Sequence, residues 1–470
     1  MLPWPGSLAI NAWTGGGDVA TPTEERGVRW GLTPRAVRVD DALAADEPPD
    51  LREWRDEKVG WGLLLPDNPA ISTSARAEAA DAPEPVRELV AARRGPVFRY
   101  GAGFQDRFLA RDHPDGRREF VAVSGSPRGL GPKSLPYYLL IYGSPDVVPW
   151  SIQYMLNGTC FTGRLGLRDE ALANYVAALR SGWEGSGRRR DRPVLWTVDF
   201  GGDDITHLMR QAVAEPLFSR WRSDGELVGG ATLLAGTDAT ASRLADALAA
   251  SSPALVVTTS HGATGPLSDP AAMRARLGLP VDQDHLLVGP ETLAGWEPDG
   301  AIWYAHACCS AGCDDRTVYD GLVRAGSTVA ATLKAVAALG ARVAPLPQDL
   351  LGRKKPLAAF VGHVEPTFDW TLRQPETGQF LTATLLKALY DGMYRAKPEP
   401  VGLALDACYD HVGELLRQSW QAQTRFAQEA DPTRRREWQL AATRTQLMAL
   451  DRQAMVVLGD PTACLPIAGQ

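Results

Sequence analysis

Two stretches of this 470-residue chain hold side chains able to do covalent chemistry. Ser260-His261-Gly262 follows the apolar run Ala254–Thr258, and His306-Ala307-Cys308-Cys309-Ser310 follows the apolar run Ala301–Tyr304. A cysteine attacks as its thiolate, yet at neutral pH a free thiol is mostly protonated, so an imidazole within reach must take the proton. His261 is the candidate base and Cys308 the candidate nucleophile, 47 positions further on. Gly262 lets the backbone come close to a substrate carbonyl, so its N–H and that of Cys308 are the expected oxyanion hole.

Plainer readings exist for each residue taken alone. A histidine after a strand is often a hydrogen-bonded structural group, and a buried cysteine packs as a small apolar side chain. A zinc site from His306, Cys308, Cys309 and Cys313 would need vicinal cysteines, where structural zinc prefers spaced pairs. The two motifs in this order, each closing an apolar run, favour catalysis over these readings.

Short apolar runs rich in β-branched and aromatic residues predict buried strands. Around them the pattern alternates. Pro193–Phe200 reads as a central strand, Ile205 to about Arg220 as a helix, Ala231–Leu234 as a strand and Thr237–Ala250 as a helix. The His261 strand follows, then a long loop from Gly262 to about Glu297, then the Cys308 strand, a helix at Thr317–Arg324 and a strand at Thr328–Leu333. Such alternation predicts an α/β fold with a mostly parallel sheet, whose ligand crevice lies past the carboxyl ends of the strands. His261 and Cys308 then share one rim. Earlier in the chain, PYYLLIYGSPDVVPW predicts a strand, and a helix is expected at Asp169–Ser181. Glu184–Arg192 reads as a linker and Gly340–Lys355 as an exposed loop. Helices are expected at Leu381–Tyr394, Gly402 to about Ala430 and Glu437 to about Ala454, with a strand and turn at Met455–Pro466.

Strand–Ser-His-Gly followed by strand–His-Ala-Cys-Cys-Ser resembles the His-Gly and Ala-Cys motifs of the caspase-like cysteine peptidases, among them the gingipain-type enzymes and the bacterial CHAT proteases. LLIYGSPDVVP, TGRLGLRDEALANYVAAL and the late LGDP are similar to gingipain-type segments. The resemblance covers about residues 135–335 and the last dozen. It implies a caspase-like αβα sandwich, with residues 1–95 as an N-terminal extension or pro-segment and 96–190 as a gingipain-like subdomain. Residues 191–470 would be the catalytic domain, carrying a helical insertion at about 380–452. It implies a His261–Cys308 dyad acting on protein or peptide substrates without a cofactor. Ala311 before Gly312 departs from the family's motif and keeps Cys309 open as the alternative nucleophile. By the same resemblance, the loop Gly201-Gly202-Asp203-Asp204 helps to form the pocket before the scissile bond. Asp203 and Asp204 would there pair with a substrate Arg or Lys, unless they only cap the next helix. A further expectation is a zymogen in a bacterial defence or stress pathway, cut at Glu184–Arg192 or Gly352–Lys355 by itself or by an upstream protease. A catalytically silent scaffold that binds a partner peptide is the alternative.

Composition narrows the rest. A net charge of −7 disfavours nucleic acid as a partner. Six cysteines, three of them between 308 and 313, make no disulfide framework for a chain of this length. No basic segment with an apolar core opens the sequence, and the most apolar long stretch, Ser327–Leu346, is interrupted by Lys334, Arg342 and Pro345. No membrane association and a cytoplasmic location are therefore expected.

Overall fold

The computed structural model describes residues 7–16, 19–22, 27–30, 48–101, 107–227, 230–374, 377–394 and 397–467. Twelve strands form one main sheet. In chain order they are β1 (Trp61–Pro66), β2 (Val97–Tyr100), β3 (Phe108–Asp112), β4 (Arg118–Ala122), β5 (Tyr138–Tyr142), β6 (Phe161–Leu165), β7 (Val194–Thr197), β8 (Thr232–Ala235), β9 (Leu255–Thr259), β10 (Ile302–His306), β11 (Ala359–His363) and β12 (Met455–Gly459). Across the sheet they run β8-β7-β9-β10-β11-β12-β6-β5-β1-β2-β3-β4. From β8 to β11 every pairing is parallel, as is every pairing from β12 through β6, β5 and β1 to β2. Only β11–β12 and the meander β2-β3-β4 are antiparallel. The chain is thus a mixed α/β protein with a large, mostly parallel central sheet.

The two motif strands are buried along their whole length, Leu255–Thr259 and Ile302–His306 alike. Continuous apolar sequence with no alternation is what a strand covered on both faces requires. Their register sets the rim. Thr259 lies opposite His306, so Ser260-His261 and Ala307-Cys308 leave the sheet at the same level.

Several expectations need correction. β7 is the second strand from the edge, not a central one. Thr328–Leu333 belongs to a helix, Thr328–Ala337, because the Ser327 side chain caps its N-terminus and Val329, Ala330, Leu333 and Val336 are buried at helical spacing. Thr317–Arg324 forms turns instead of a helix. Gly340–Lys355 is no exposed loop: it holds a short strand and the helix Pro345–Gly352, whose Leu346, Leu350 and Leu351 are buried. Arg353 donates to the carbonyls of Leu293 (2.7 Å), Trp296 (2.6 Å) and Pro290 (3.2 Å), so this expected processing loop is tied down at its first basic residue. In the other, Arg190 is buried while Arg189 is exposed. A division at residue 95 would cut between β1 and β2, which are paired neighbours, so residues 61–93 belong with the segment that follows them. The helical insertion is mainly one hairpin, Asp406–Gln428 against Pro432–Gln453, closed by Val412 and Leu415 on Met448 and Ala449.

Candidate active site

His261 leaves β9 into a fully enclosed position. Its Nε2 lies 2.9 Å from Asp204 Oδ2, and its ring stacks beside Phe200 and Trp13 at centroid distances of 5.7 and 6.0 Å. Asp204 stands between β7 and the helix starting at Ile205. Its Oδ1 accepts the Thr206 N–H at 2.6 Å and also the Thr206 hydroxyl, which makes Asp204 the N-cap of that helix. One carboxylate thereby holds both the helix start and the imidazole. A carboxylate on one ring nitrogen fixes a histidine's tautomer and stabilises its cation. Asp204 is therefore engaged with His261, and Asp203 is exposed to solvent. The cap alternative holds for Asp204, whose two oxygens are taken up by Thr206 and His261.

Cys308 is also fully buried, and its Sγ accepts the Thr367 N–H at 3.2 Å. Burial pushes the thiol far above its ordinary range, and the Thr367 N–H opposes that shift. Cys309 turns aside. It adopts a left-handed backbone (φ 56°), donates its N–H to the Glu365 carbonyl at 2.9 Å, and has its thiol pushed up by burial with Cys308, Cys313 and Glu365 as neighbours. A non-glycine residue at positive φ is uncommon, and here it redirects the chain immediately after Cys308. His306 is no second base: its Nδ1 meets the Tyr304 hydroxyl at 2.7 Å, its ring packs edge-on to His363, and burial depresses it to about 4. Ser310 ties the loop down, donating to the Ala305 carbonyl at 3.1 Å and accepting the His363 N–H at 2.9 Å. Among the described residues no group of three or more His, Cys, Asp or Glu is set to hold a metal ion.

The two motifs meet through their backbones. A Cβ on Gly262 would lie 1.9 Å from the Cys308 carbonyl oxygen, so only glycine allows this approach. The Gly262 and Cys308 N–H groups both point to one oxygen, the carbonyl of Asn11, at 3.4 and 3.2 Å. Two convergent amide donors on a carbonyl oxygen are the geometry that stabilises developing negative charge.

Sequence reasoning missed three participants. Asp204 was read as a substrate ligand or a helix cap; the cap is present, and its hold on His261 was the part not read. Thr367 and Asn11 carry no local signal, since each reaches the rim by pairing far along the chain. No protein-family model, curated protein or solved structure matches this chain. Its class is therefore defined by its own features: an α/β protein with a His–Cys rim at the carboxyl ends of two neighbouring, buried parallel strands.

Proposed function

We propose that the chain is a cysteine peptidase of caspase-like design. Cys308 is the nucleophile, His261 the general base and acid, Asp204 the group that orients His261, and the N–H groups of Gly262 and Cys308 the oxyanion hole. The observation that carries this reading is the convergence of those two N–H groups on a single carbonyl oxygen. Burial raises the Cys308 thiol, which favours keeping its proton until His261 takes it. In turnover His261 draws off that proton as the sulfur attacks the substrate carbonyl. A preference for Arg or Lys finds no support at Asp204, which works for His261.

The test is a fluorogenic peptide panel with a peptide-based thiol-reactive probe. Wild type should turn over peptide and carry the probe on Cys308. Cys308→Ala should fall to background while staying folded, and Cys309→Ala should keep activity within about tenfold, since it removes no reacting atom. An active Cys308→Ala beside a dead Cys309→Ala would move the nucleophile to Cys309. Two active variants would end the thiol mechanism.

A further inference from the structure

Residues 10–13 lie across the rim as an extended peptide would. Upstream, Ile10 bridges Phe368 in the antiparallel sense, and the Asn11 N–H donates to the Thr367 carbonyl at 3.0 Å. Downstream, Ala12–Trp13 run parallel beside Gly262–Ala263, and the Trp13 carbonyl accepts the Thr264 N–H at 3.0 Å. Main-chain pairing on both flanks is the way clefts hold extended peptides by strand addition. Between the flanks sits the Asn11 carbonyl, with its oxygen on the Gly262 and Cys308 N–H groups. Thr367 contacts both partners of a reaction there. Its carbonyl holds the Asn11 N–H, and its N–H holds the Cys308 sulfur.

The Asn11 side chain is fully buried at the ends of β9 and β10. Its Nδ2 reaches the Ser260 carbonyl at 2.6 Å, the Met209 sulfur at 3.3 Å and the His306 carbonyl at 3.4 Å. Its Oδ1 has no hydrogen-bond partner among the described residues. The surroundings therefore offer acceptors to a short N–H-bearing side chain. Two of the three are main-chain carbonyls at the strand ends, within reach of a side chain as short as Asn.

We propose that the Asn11–Ala12 bond is this enzyme's own first cleavage site, and that the same pocket selects substrates with Asn before the scissile bond. This rests on the peptidase reading above and assigns that site its substrate class. In the reaction the Cys308 thiol gives its proton to His261 and its sulfur bonds the Asn11 carbonyl carbon. The bond from that carbon to the Ala12 nitrogen breaks, and the proton passes from His261 to that nitrogen. A thioester remains on the segment ending at Asn11, with a free amine at Ala12. Water then adds to the thioester: its hydroxyl completes the Asn11 carboxyl group and its other proton returns to sulfur. Departure of the Asn11 carboxyl end empties the oxyanion hole for other substrates.

The purified full-length chain is incubated and followed by intact mass and N-terminal sequencing, beside Cys308→Ala and Asn11→Lys. Reporter peptides ending in Ile-Asn, Ile-Arg and Ile-Lys are assayed in parallel, together with the thiol-reactive probe. Wild type should acquire a new N-terminus at Ala12 at a rate independent of protein concentration. Cys308→Ala should stay uncut, Asn11→Lys should be cut at least about tenfold more slowly, and the Asn reporter should lead the Arg and Lys reporters by a similar factor or more. A wild-type chain that hydrolyses reporters with the Asn11–Ala12 bond intact would overturn the proposal and leave the peptidase reading standing. So would a cut chain that prefers Arg or Lys. No reporter turnover together with no probe on Cys308 would end both.

Discussion

Replacing Asp204 with Asn keeps the outline of the side chain and removes its charge. Oδ1 caps a helix through the Thr206 N–H at 2.6 Å, and Oδ2 stands 2.9 Å from His261 Nε2. Asn caps helices as well as Asp does, so the fold should survive. What is lost is the ionic hydrogen bond to the imidazolium that forms when Cys308 gives up its proton. A hydrogen bond to a charged partner is worth about 1.5–3 kcal/mol. Both side chains here are almost wholly shielded from water, so solvent does little to weaken that bond. Each 1.36 kcal/mol of barrier is tenfold in rate, which sets the expected loss of kcat/KM at about 10- to 150-fold. The assay is reporter hydrolysis with a thermal melt on the same samples. Asp204→Ala should lose as much rate and a further ~1 kcal/mol of stability, because it also removes the cap. An Asp204→Asn enzyme with wild-type kcat/KM would refute the orienting role. A rate loss matched by loss of folded protein would reduce Asp204 to its cap.

Gly262→Ala places a methyl 1.9 Å from the Cys308 carbonyl oxygen, with the Cys308 carbonyl carbon and nitrogen next nearest, so no flexible side chain can give way. Overpacking should cost about 1–3 kcal/mol of stability, and the displaced N–H should cost about 10²-fold in kcat; a melt and a rate measurement check both, and a wild-type rate would remove Gly262 from the oxyanion hole. Asp451 gives a stability test. Its buried carboxyl is raised to about 7 by desolvation, against the Thr371 and Phe368 hydrogen bonds, with Asp369 and Arg452 nearby. Because the folded value lies above the unfolded one, the folded state keeps the proton longer. Stability should fall as pH rises from about 4 to about 7, by up to about 4 kcal/mol. Asp451→Asn should lessen that fall in urea titrations at pH 4.5 and 7.5; parallel losses in the two proteins would refute it.

Strands that finish in reactive residues were legible because their apolar runs are short, unbroken and bounded, as for Leu255–Thr259 and Ile302–His306. The helix Asp169–Ser181 was legible to the residue, with acidic groups in its first turn and Gly182 at its end. Thr328–Ala337 misled because Thr-Val-Ala reads as strand until the Ser327 cap is given weight. Ala359–His363 carries a signal of its own, since Leu357–Val361 is a bounded apolar run beside Pro356. The contributions of Asn11 and Thr367 were not legible. The bridge from Ile10 to Phe368 joins residues more than 350 positions apart, and no local pattern encodes such a pairing. Asp204 shows a different limit: helix capping and imidazole binding ask for the same carboxylate, so its type alone could not tell one from both.

β12 joins two half-sheets that have no other strand between them. It pairs antiparallel with β11 and parallel with β6, where Val457 and Leu458 lie opposite Gly163 and Arg164. A chain emerging from its N-terminus completes β1–β6 and then β7–β11 while Met455–Gly459 is still to come. Until then the edge strands β6 and β11, five residues each, lack their β12 partner, and an unpaired edge can pair with another chain. Union of the halves then depends on contacts spanning nearly 300 residues, the kind of loop closure that slows folding. The joining of the two halves is thus left to the last strand of the sheet in chain order, the five residues of β12.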